Sequence, residues 1–208
     1  MSGMKSVPLK EVLELLDGLP VKWACLAAIG VSTGCRISEL LLLQRHDLLT
    51  PCGKLKEEIA FVKLKSKETN VNGEKKVVHR KISIPSDFHC YVISHLQAEE
   101  QRGYDMPSDY VFRGKHGKSL SRHTCYNKFR ELLGSGHGTH WMRKTYAQEL
   151  FRYLLKENPA DPMRALELTR RALSHSRIDT TIRYLGFNEE SLNKAQNEIF
   201  NIRRIRNG

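Results

Sequence analysis

The most informative segment of the chain is Thr33-Gly34-Cys35-Arg36-Ile37-Ser38-Glu39-Leu40. Gly34 is expected to end the helix that comes before it. The apolar run Ile37–Leu43 predicts a third helix, short and largely buried, which begins directly after Arg36. The segment therefore places a permanently charged guanidinium at the start of a buried helix.

Two helices are predicted before this segment. The first begins after Pro8 and carries apolar side chains at helical spacing until Gly18 and Pro20 end it. The second runs over Val21–Ser32 and is almost wholly apolar in its centre.

After this segment the character of the sequence changes. Ile59–Val62 and Val77–Ile84 are β-rich and alternating, and the polar residues 68–74 lie between them, so this region predicts a hairpin with a long tip. The remainder predicts further helices, at Asp87–Gln101, Ser121–Leu133, His140–Leu155, Pro162–Leu173, Ile178–Tyr184 and Glu189–Arg203. The predicted fold class is mainly α with a small antiparallel β-hairpin, an α+β arrangement.

The composition is that of a globular protein with a basic surface. The 208 residues are 40% apolar and 27% charged, with a formal net charge of +11. No apolar run approaches the ~20 residues that span a bilayer, so we expect no membrane segment. The five cysteines include no Cys-x-x-Cys pair, which disfavours a disulfide framework and a thiolate zinc site. We therefore expect a cytoplasmic protein, and its positive charge favours a nucleic-acid partner, because nucleic acid is the commonest intracellular polyanion.

Two further segments complete a pattern with the first. Residues 140–145 read His-Trp-Met-Arg-Lys-Thr, and residues 173–176 read Leu-Ser-His-Ser. Tyr184 lies nine residues after His175 and is the last residue of a Thr-Thr-Ile-Arg-Tyr run. In this order the segments resemble the signature boxes of the tyrosine recombinases, the phage-integrase family of DNA strand-exchange enzymes. That family has an arginine followed by Ser-Glu-Leu, then His-x-x-Arg, then Leu-Gly-His and a tyrosine at this spacing.

The resemblance spans Pro8–Phe187 and implies the fold and the activity of that family's catalytic domain. The implied activity is site-specific cutting and rejoining of double-stranded DNA through a 3′-phosphotyrosyl intermediate, without metal or ATP. The implied assembly is a homo-oligomer on DNA, a tetramer. The chain departs from the family at Ser174, where glycine is usual, and this change alters a tight turn without removing a reactive group.

The chemistry assigns roles to the matched residues. A phosphodiester under attack becomes dianionic, and forked, permanently charged guanidiniums suit its non-bridging oxygens, so Arg36 and Arg143 are the candidate clamp. His175 is a further donor. Tyr184 is the candidate nucleophile, and His140 is the candidate base because a phenol is a poor nucleophile at neutral pH.

Two more residues are drawn from the same resemblance. The family places a lysine general acid where the first strand of the hairpin turns into the tip, which best matches Lys67, with Lys65 as the second choice. Glu39 stands three residues after Arg36 on one helical face and is expected to orient that guanidinium. We expect its removal to lower stability and activity together.

No cofactor and no metal site is predicted. The glycine that a phosphate loop needs five positions before Gly117 and Lys118 is replaced by Phe112, so no nucleotide cradle is expected. His137 and His140 stand three residues apart, but no cysteine or carboxylate completes a metal set and no His-Glu-x-x-His motif occurs.

The predicted domains are a catalytic domain over residues 1–187 and a helical tail over residues 188–208. The tail is amphipathic and either docks on a neighbouring protomer or packs on its own domain. The family's N-terminal clamp domain has no room before Arg36, so the chain is either an excised catalytic domain or a naturally minimal recombinase. In either case we expect weak DNA binding with a steep salt dependence.

Two other functions stay open at this point. A type IB topoisomerase shares the chemistry but relaxes supercoils without exchanging partners, and a DNA-binding regulator could keep the fold and lack the reaction. Ser121–Arg130, rich in basic and polar residues, is the candidate helix for reading DNA. The target sequence and the outcome, whether integration, excision, inversion or resolution, are not encoded in these motifs.

Overall fold

The computed structural model describes residues 6–62 and 79–186. Its helices and strands follow one another in the order α1 Leu9–Asp17, α2 Val21–Thr33, α3 Ile37–Leu40, α4 Arg45–Leu48, β1 Ile59–Val62, β2 His79–Ile82, α5 His89–Glu100, α6 Arg122–Leu133, α7 His140–Glu157, α8 Pro162–Ala172 and α9 Ile178–Leu185. Short 3-10 turns occupy Ser86–Phe88 and Lys115–Gly117. The predicted class, mostly helical with a small antiparallel sheet, is confirmed.

Prolines set the starts of the first two helices. Pro8 and Pro20 both have extended backbone angles and act as the N-caps of α1 and α2. A proline suits this place because its missing N–H would have no partner in the first turn of a helix. α2 is buried along nearly its whole length, from Ala24 to Val31, and forms the centre of the core. Both predicted helices are confirmed.

The third helix is shorter than the apolar run suggests. α3 ends at Leu40 rather than Leu43, because the residues that follow pair with a distant segment. The N–H of Val111 donates to the carbonyl of Leu43 at 2.8 Å, and the N–H of Arg45 donates to the carbonyl of Asp109 at 2.9 Å. These long-range bonds draw the chain out of the helix, and the short α4, which the sequence pattern did not indicate, then begins.

The hairpin forms as an antiparallel pair of strands. Ile59 of β1 faces Ile82 of β2, and Phe61 faces Arg80. β2 ends at Ile82, two residues before the predicted end. The predicted tip lies outside the described residues.

An aromatic chain joins three helices in the core. Trp141, at the start of α7, is fully buried and makes an edge contact with Phe129 of α6, with the ring centroids 6.0 Å apart. Phe129 makes a second edge contact, at 5.7 Å, with Trp23 of α2. This packing holds the first turn of α7 against the rest of the core.

The chain divides into two compact units, Met1–Tyr146 and Ala147–Gly208. In the first unit the buried side chains surround α2. In the second unit α8 packs on α9, and Ala165, Thr169 and Thr181 of these helices are buried. The predicted boundary between residues 187 and 188 lies outside the described part of the chain, as does the predicted helix Glu189–Arg203, so that division stays a prediction.

None of the helices described here has both the length and the apolar character needed to cross a bilayer.

Candidate active site

Arg36 is held in place by Glu39. Arg36 is the N-cap of α3, and its backbone N–H donates to Oε2 of Glu39 at 2.7 Å. Its guanidinium Nη1 donates to Oε1 of the same carboxylate at 3.1 Å. Glu39 is only 4% exposed, whereas the Arg36 side chain is 21% exposed. The buried carboxylate of Glu39 therefore caps the helix and also holds the Arg36 guanidinium, which still reaches the surface.

The turn before Arg36 requires a glycine on two grounds. Gly34 has φ +61°, in the left-handed region, and its N–H donates to the carbonyl of Gly30 to close α2. A Cβ at this position would lie 2.2 Å from a ring carbon of Tyr146. The backbone of this turn therefore packs directly against the ring of Tyr146, near the C-terminal limit of the first unit.

We expect Gly34→Ala to lower the free energy of unfolding by about 2–4 kcal/mol, since it adds a steric clash to backbone strain. Gly53→Ala is the matched control, because Gly53 has φ +76° and nothing within 4 Å of the added Cβ. The control should lose only about 1 kcal/mol, the strain alone. Urea unfolding of both variants measures the difference, and equal losses would show that Tyr146 gives way without a penalty.

Arg143 binds the same turn from α7. It is 2% exposed, and its Nη1 donates to the carbonyl of Gly34 at 2.5 Å. Thr145, one half-turn later, exchanges hydrogen bonds of 3.0 Å with the N–H and carbonyl of Val7, which ties this part of α7 to the N-terminal segment.

His140, unlike Arg143, is exposed to solvent. It is the first residue of α7, one turn before Arg143 on the same helix. Arg36, Arg143 and His140 all belong to the first unit. Within it, the structure brings Arg143 to the turn, residues 33–36, that ends at Arg36.

Arg80 is a residue of this region that the motifs did not indicate. Its Nη2 lies 2.9 Å from the carbonyl oxygen of Thr33 and 2.9 Å from Sγ of Cys35. A cation suits the carbonyl end of α2, where the helix dipole is negative. Burial raises the pKa of the Cys35 thiol, so the sulfur meets Arg80 as a neutral group. The feature that could have identified Arg80 is its place on the apolar face of β2, opposite Phe61.

In the second unit, the end of α8 presents His175. Ser174 has φ +49°, so the position where the family uses glycine is indeed a left-handed turn residue, and serine accepts it with some strain. The N–H of His175 donates to the carbonyl of Arg170 at 3.0 Å, and the Arg170 guanidinium donates back to the carbonyl of His175 at 2.6 Å. Hydrogen bonds from Arg170 and Arg171 lower the pKa of Glu167 to about 2, so this carboxylate is charged and anchors Arg170.

His175 and Tyr184 lie side by side. The ring centroids are 5.1 Å apart, with 57° between the ring planes. His175 is buried and Tyr184 is half-buried on α9. The spacing of nine residues brings them together because α9 begins at Ile178 and returns Tyr184 towards the turn after less than two helical turns.

The remaining candidates are the hairpin lysines and the predicted DNA-reading helix. Lys67 and the alternative Lys65 fall between residues 62 and 79, outside the described residues. Ser121–Arg130 largely coincides with α6, whose N-cap Ser121 accepts a hydrogen bond from the N–H of Thr124 at 3.0 Å. Within residues 6–62 and 79–186, no three His, Cys, Asp or Glu side chains come together as metal ligands would.

Solved structures of tyrosine recombinases and integrases share this fold. XerH site-specific recombinase, bound to palindromic difH substrate, is 18% identical, and the match covers 93% of this chain and 53% of that one with a TM-score of 0.61. XerA recombinase is 17% identical, with coverages of 94% and 65% and a TM-score of 0.60. The Tn1549 transposon integrase, in complex with transposon right end DNA, is 19% identical, with coverages of 93% and 66% and a TM-score of 0.56.

These matches establish the fold of a tyrosine recombinase catalytic domain. The chain spans between about half and two thirds of the length of those three structures. No family model matches the sequence, and no curated protein matches it.

Proposed function

We propose that this chain, which has the fold of tyrosine recombinase catalytic domains, is a site-specific DNA recombinase that works through a 3′-phosphotyrosyl intermediate. The observation that carries the proposal is the His175–Tyr184 pair, with ring centroids 5.1 Å apart on that fold. This pair supports the proposal because a phenol can form an ester with phosphate and an imidazole can donate a hydrogen bond to it.

In the proposed reaction the phenol oxygen of Tyr184 attacks the scissile phosphorus. The bond from phosphorus to the 5′ oxygen breaks, and the 3′ end of the DNA stays joined to Tyr184. His140 takes the phenol proton, and Lys67, or Lys65, gives a proton to the departing 5′ oxygen. Attack by a 5′ hydroxyl from another strand reverses these steps. No ATP is consumed, because the phosphotyrosyl bond keeps the energy of the phosphodiester.

Arg36 and Arg143 are the proposed clamp on the non-bridging oxygens. Fixed donors that need no rearrangement stabilise a developing charge better than mobile ones. Arg36 is held by Glu39 of α3, and Arg143 is held by the carbonyl of Gly34, so buried groups anchor both guanidiniums. His175 is the proposed third donor.

The proposed substrate is double-stranded DNA, and the proposed active form is a homo-oligomer, a tetramer on DNA. The XerH and Tn1549 integrase structures hold DNA, which supports the first part by similarity of fold. The tail at residues 188–208 remains the candidate element for contacts between protomers. A protein that acts on DNA in this way works inside the cell.

The exposed face of α6 is the proposed DNA interface. Cys125 and Phe129 face the core, while Arg122, Tyr126 and Arg130 are exposed. The Arg130 guanidinium lies 5.6 Å from the centroid of the Tyr126 ring, which holds it on this face. A basic helix with an exposed aromatic ring fits contacts to phosphates and bases.

We expect the double variant Arg122→Ala, Arg130→Ala to weaken DNA binding in a salt-dependent way. Each lost phosphate contact should reduce the slope of log affinity against log salt by about 1. The control is Lys10→Ala, Lys54→Ala, which removes the same charge from exposed positions in the same unit. Fluorescence anisotropy at several salt concentrations compares them, and equal slopes for the two double variants would remove α6 from the interface.

The experiment that tests the proposed function is covalent capture. The protein is incubated with a library of nicked DNA duplexes in EDTA, denatured, and mapped for the residue that carries DNA. An adduct on Tyr184 without metal establishes the transesterification, and the captured sequences define the preferred site. Relaxation of a supercoiled plasmid without strand exchange would favour the topoisomerase, and binding without any adduct would favour a regulator.

A further inference from the structure

We propose that Thr181 fixes the tautomer and orientation of His175, so that the neutral imidazole carries its proton on Nε2. This inference rests on the proposed function only for its consequence in catalysis, because the tautomer itself is a property of the fold. Thr181 is a positioning residue in this proposal, and none of the sequence motifs assigns it a role.

The contact lies in the interior of the second unit. Oγ1 of Thr181 lies 3.0 Å from Nδ1 of His175. Thr181 is 0% exposed and His175 is 7% exposed, so water does not compete for this hydrogen bond. Thr181 also stands three residues before Tyr184 on α9, so the same helix carries the proposed nucleophile and the residue that grips the imidazole.

Comparison with other buried threonines gives the direction of the hydrogen bond. The hydroxyl of Thr33 donates to the carbonyl of Ile29 at 2.6 Å, and that of Thr169 donates to the carbonyl of Ala165 at 2.8 Å. Both protons go to the carbonyl four residues earlier, the common choice for a helical threonine. Within the described part of the chain, the hydroxyl of Thr181 has no such carbonyl partner and meets only His175.

The proton of a buried hydroxyl needs an acceptor, since an unsatisfied buried donor is strongly unfavourable. For Thr181 that acceptor is Nδ1 of His175. A neutral imidazole has one N–H and one lone pair, so a lone pair on Nδ1 places the N–H on Nε2. The reverse arrangement would leave the hydroxyl proton buried without an acceptor.

The tautomer matters for the proposed role of His175. A donor to a non-bridging phosphate oxygen must present an N–H, and the Nε2–H tautomer presents one without any need to protonate the ring. The other tautomer would direct a lone pair at an anion. Arg170 secures the backbone of His175 through its carbonyl, and Thr181 secures the ring.

The test reads the tautomer directly, by long-range ¹H–¹⁵N NMR of the full chain labelled with ¹⁵N-histidine. His175→Gln identifies the signals of His175 among the nine histidines. At a pH at which the ring is neutral, we expect wild type to show an unprotonated Nδ1 and a protonated Nε2. A protonated Nδ1 in wild type would overturn the proposal, and this result does not depend on how any variant folds.

Three variants test the role of the hydroxyl. Thr181→Val keeps the shape and removes the hydrogen bond, so the ring should populate both tautomers. Thr181→Ser keeps the hydroxyl and should retain the wild-type pattern. Thr169→Val is the matched control, because it removes an equally buried threonine hydroxyl on α8. An unchanged tautomer in a folded Thr181→Val variant would also overturn the proposal.

Covalent capture of DNA then tests the consequence. Thr181→Val should lower the capture rate by roughly tenfold, the value of one good hydrogen bond, and Thr181→Ser should restore it. An unchanged rate in a variant with an altered tautomer would overturn the positioning role. A wild-type protein that captures no DNA would reject the proposed function instead, while the NMR result would stand.

Discussion

Tyr184→Phe is expected to abolish covalent capture of DNA. The change removes one oxygen, which is the proposed attacking atom, and leaves the ring that packs beside His175 at 5.1 Å. The fold should therefore persist while the reaction stops, because no other group in the proposed mechanism can form the ester. Capture on nicked duplexes in EDTA, followed by a denaturing gel, measures the effect.

Tyr153→Phe is the matched control for this experiment. Tyr153 is 60% exposed on α7, in the same unit of the chain, and nothing assigns it to the reaction. It should capture DNA as wild type does. DNA binding by Tyr184→Phe should also equal that of wild type, so that lost capture is not mistaken for lost affinity. An adduct that persists in Tyr184→Phe would show that another residue is the nucleophile.

Arg143→Lys is expected to lower the rate of DNA cleavage by about 10³-fold, since a transition-state arginine in phosphoryl transfer has effects of this order. Lysine keeps the charge but has a single ammonium in place of the fork, so it cannot reproduce both the bond to Gly34 and a forked grip on phosphate. Because Arg143 is 2% exposed, the lost bond to the Gly34 carbonyl should also lower the free energy of unfolding by about 2 kcal/mol.

Two further variants separate chemistry from stability. Arg152→Lys, on an exposed face of the same helix, should leave both quantities near wild type. Arg80→Lys removes a contact to the neighbouring Thr33 carbonyl, so it should lower stability by a similar amount with a much smaller loss of rate. Single-turnover cleavage and urea unfolding provide the two measurements. Equal losses of rate in Arg80→Lys and Arg143→Lys would mean that Arg143 acts only through the turn.

The turn at residues 33–36 carries Arg36 and is contacted by several side chains of the first unit. Glu39, Arg80 and Arg143 each bind it, and Tyr146 closes over Gly34. In the proposed mechanism the Arg36 guanidinium meets a transition state and would gain from such support, since small errors in position reduce the rate strongly. The residues around Arg36 therefore meet a packing requirement in addition to the proposed chemical role of Arg36.

Local sequence predicted most of the helices well. Helical spacing of apolar residues located α1 and α2 to within a residue or two. Pro8, Gly18 and Pro20 marked where these helices begin and end. The same rules located α6 and α8, whose N-caps Ser121 and Asp161 accept hydrogen bonds from the first turn. These signals succeed because helix ends depend on neighbouring residues.

The pattern failed where distant backbone groups compete with the helix. The run Ile37–Leu43 is apolar enough for one continuous helix, yet the carbonyl of Leu43 bonds to Val111, 68 positions away in the chain. A rule that considers only neighbouring residues cannot predict a partner so far away in the sequence. The same limit applies to Arg80, because its place opposite Phe61 does not reveal that the carbonyl of Thr33, at the end of α2, is its partner.

The candidate site residues were drawn from the resemblance to the tyrosine recombinases and stay a proposal. By itself, the sequence determined the helical class and the hairpin. Those properties follow from composition, periodicity and spacing, which are local. The tertiary structure alone decided that Arg143 shares a turn with Arg36, that Arg80 supports that turn, and that Thr181 meets His175. Each of these contacts joins separate elements of the fold, and the direction of a hydrogen bond depends on which partners packing leaves within reach.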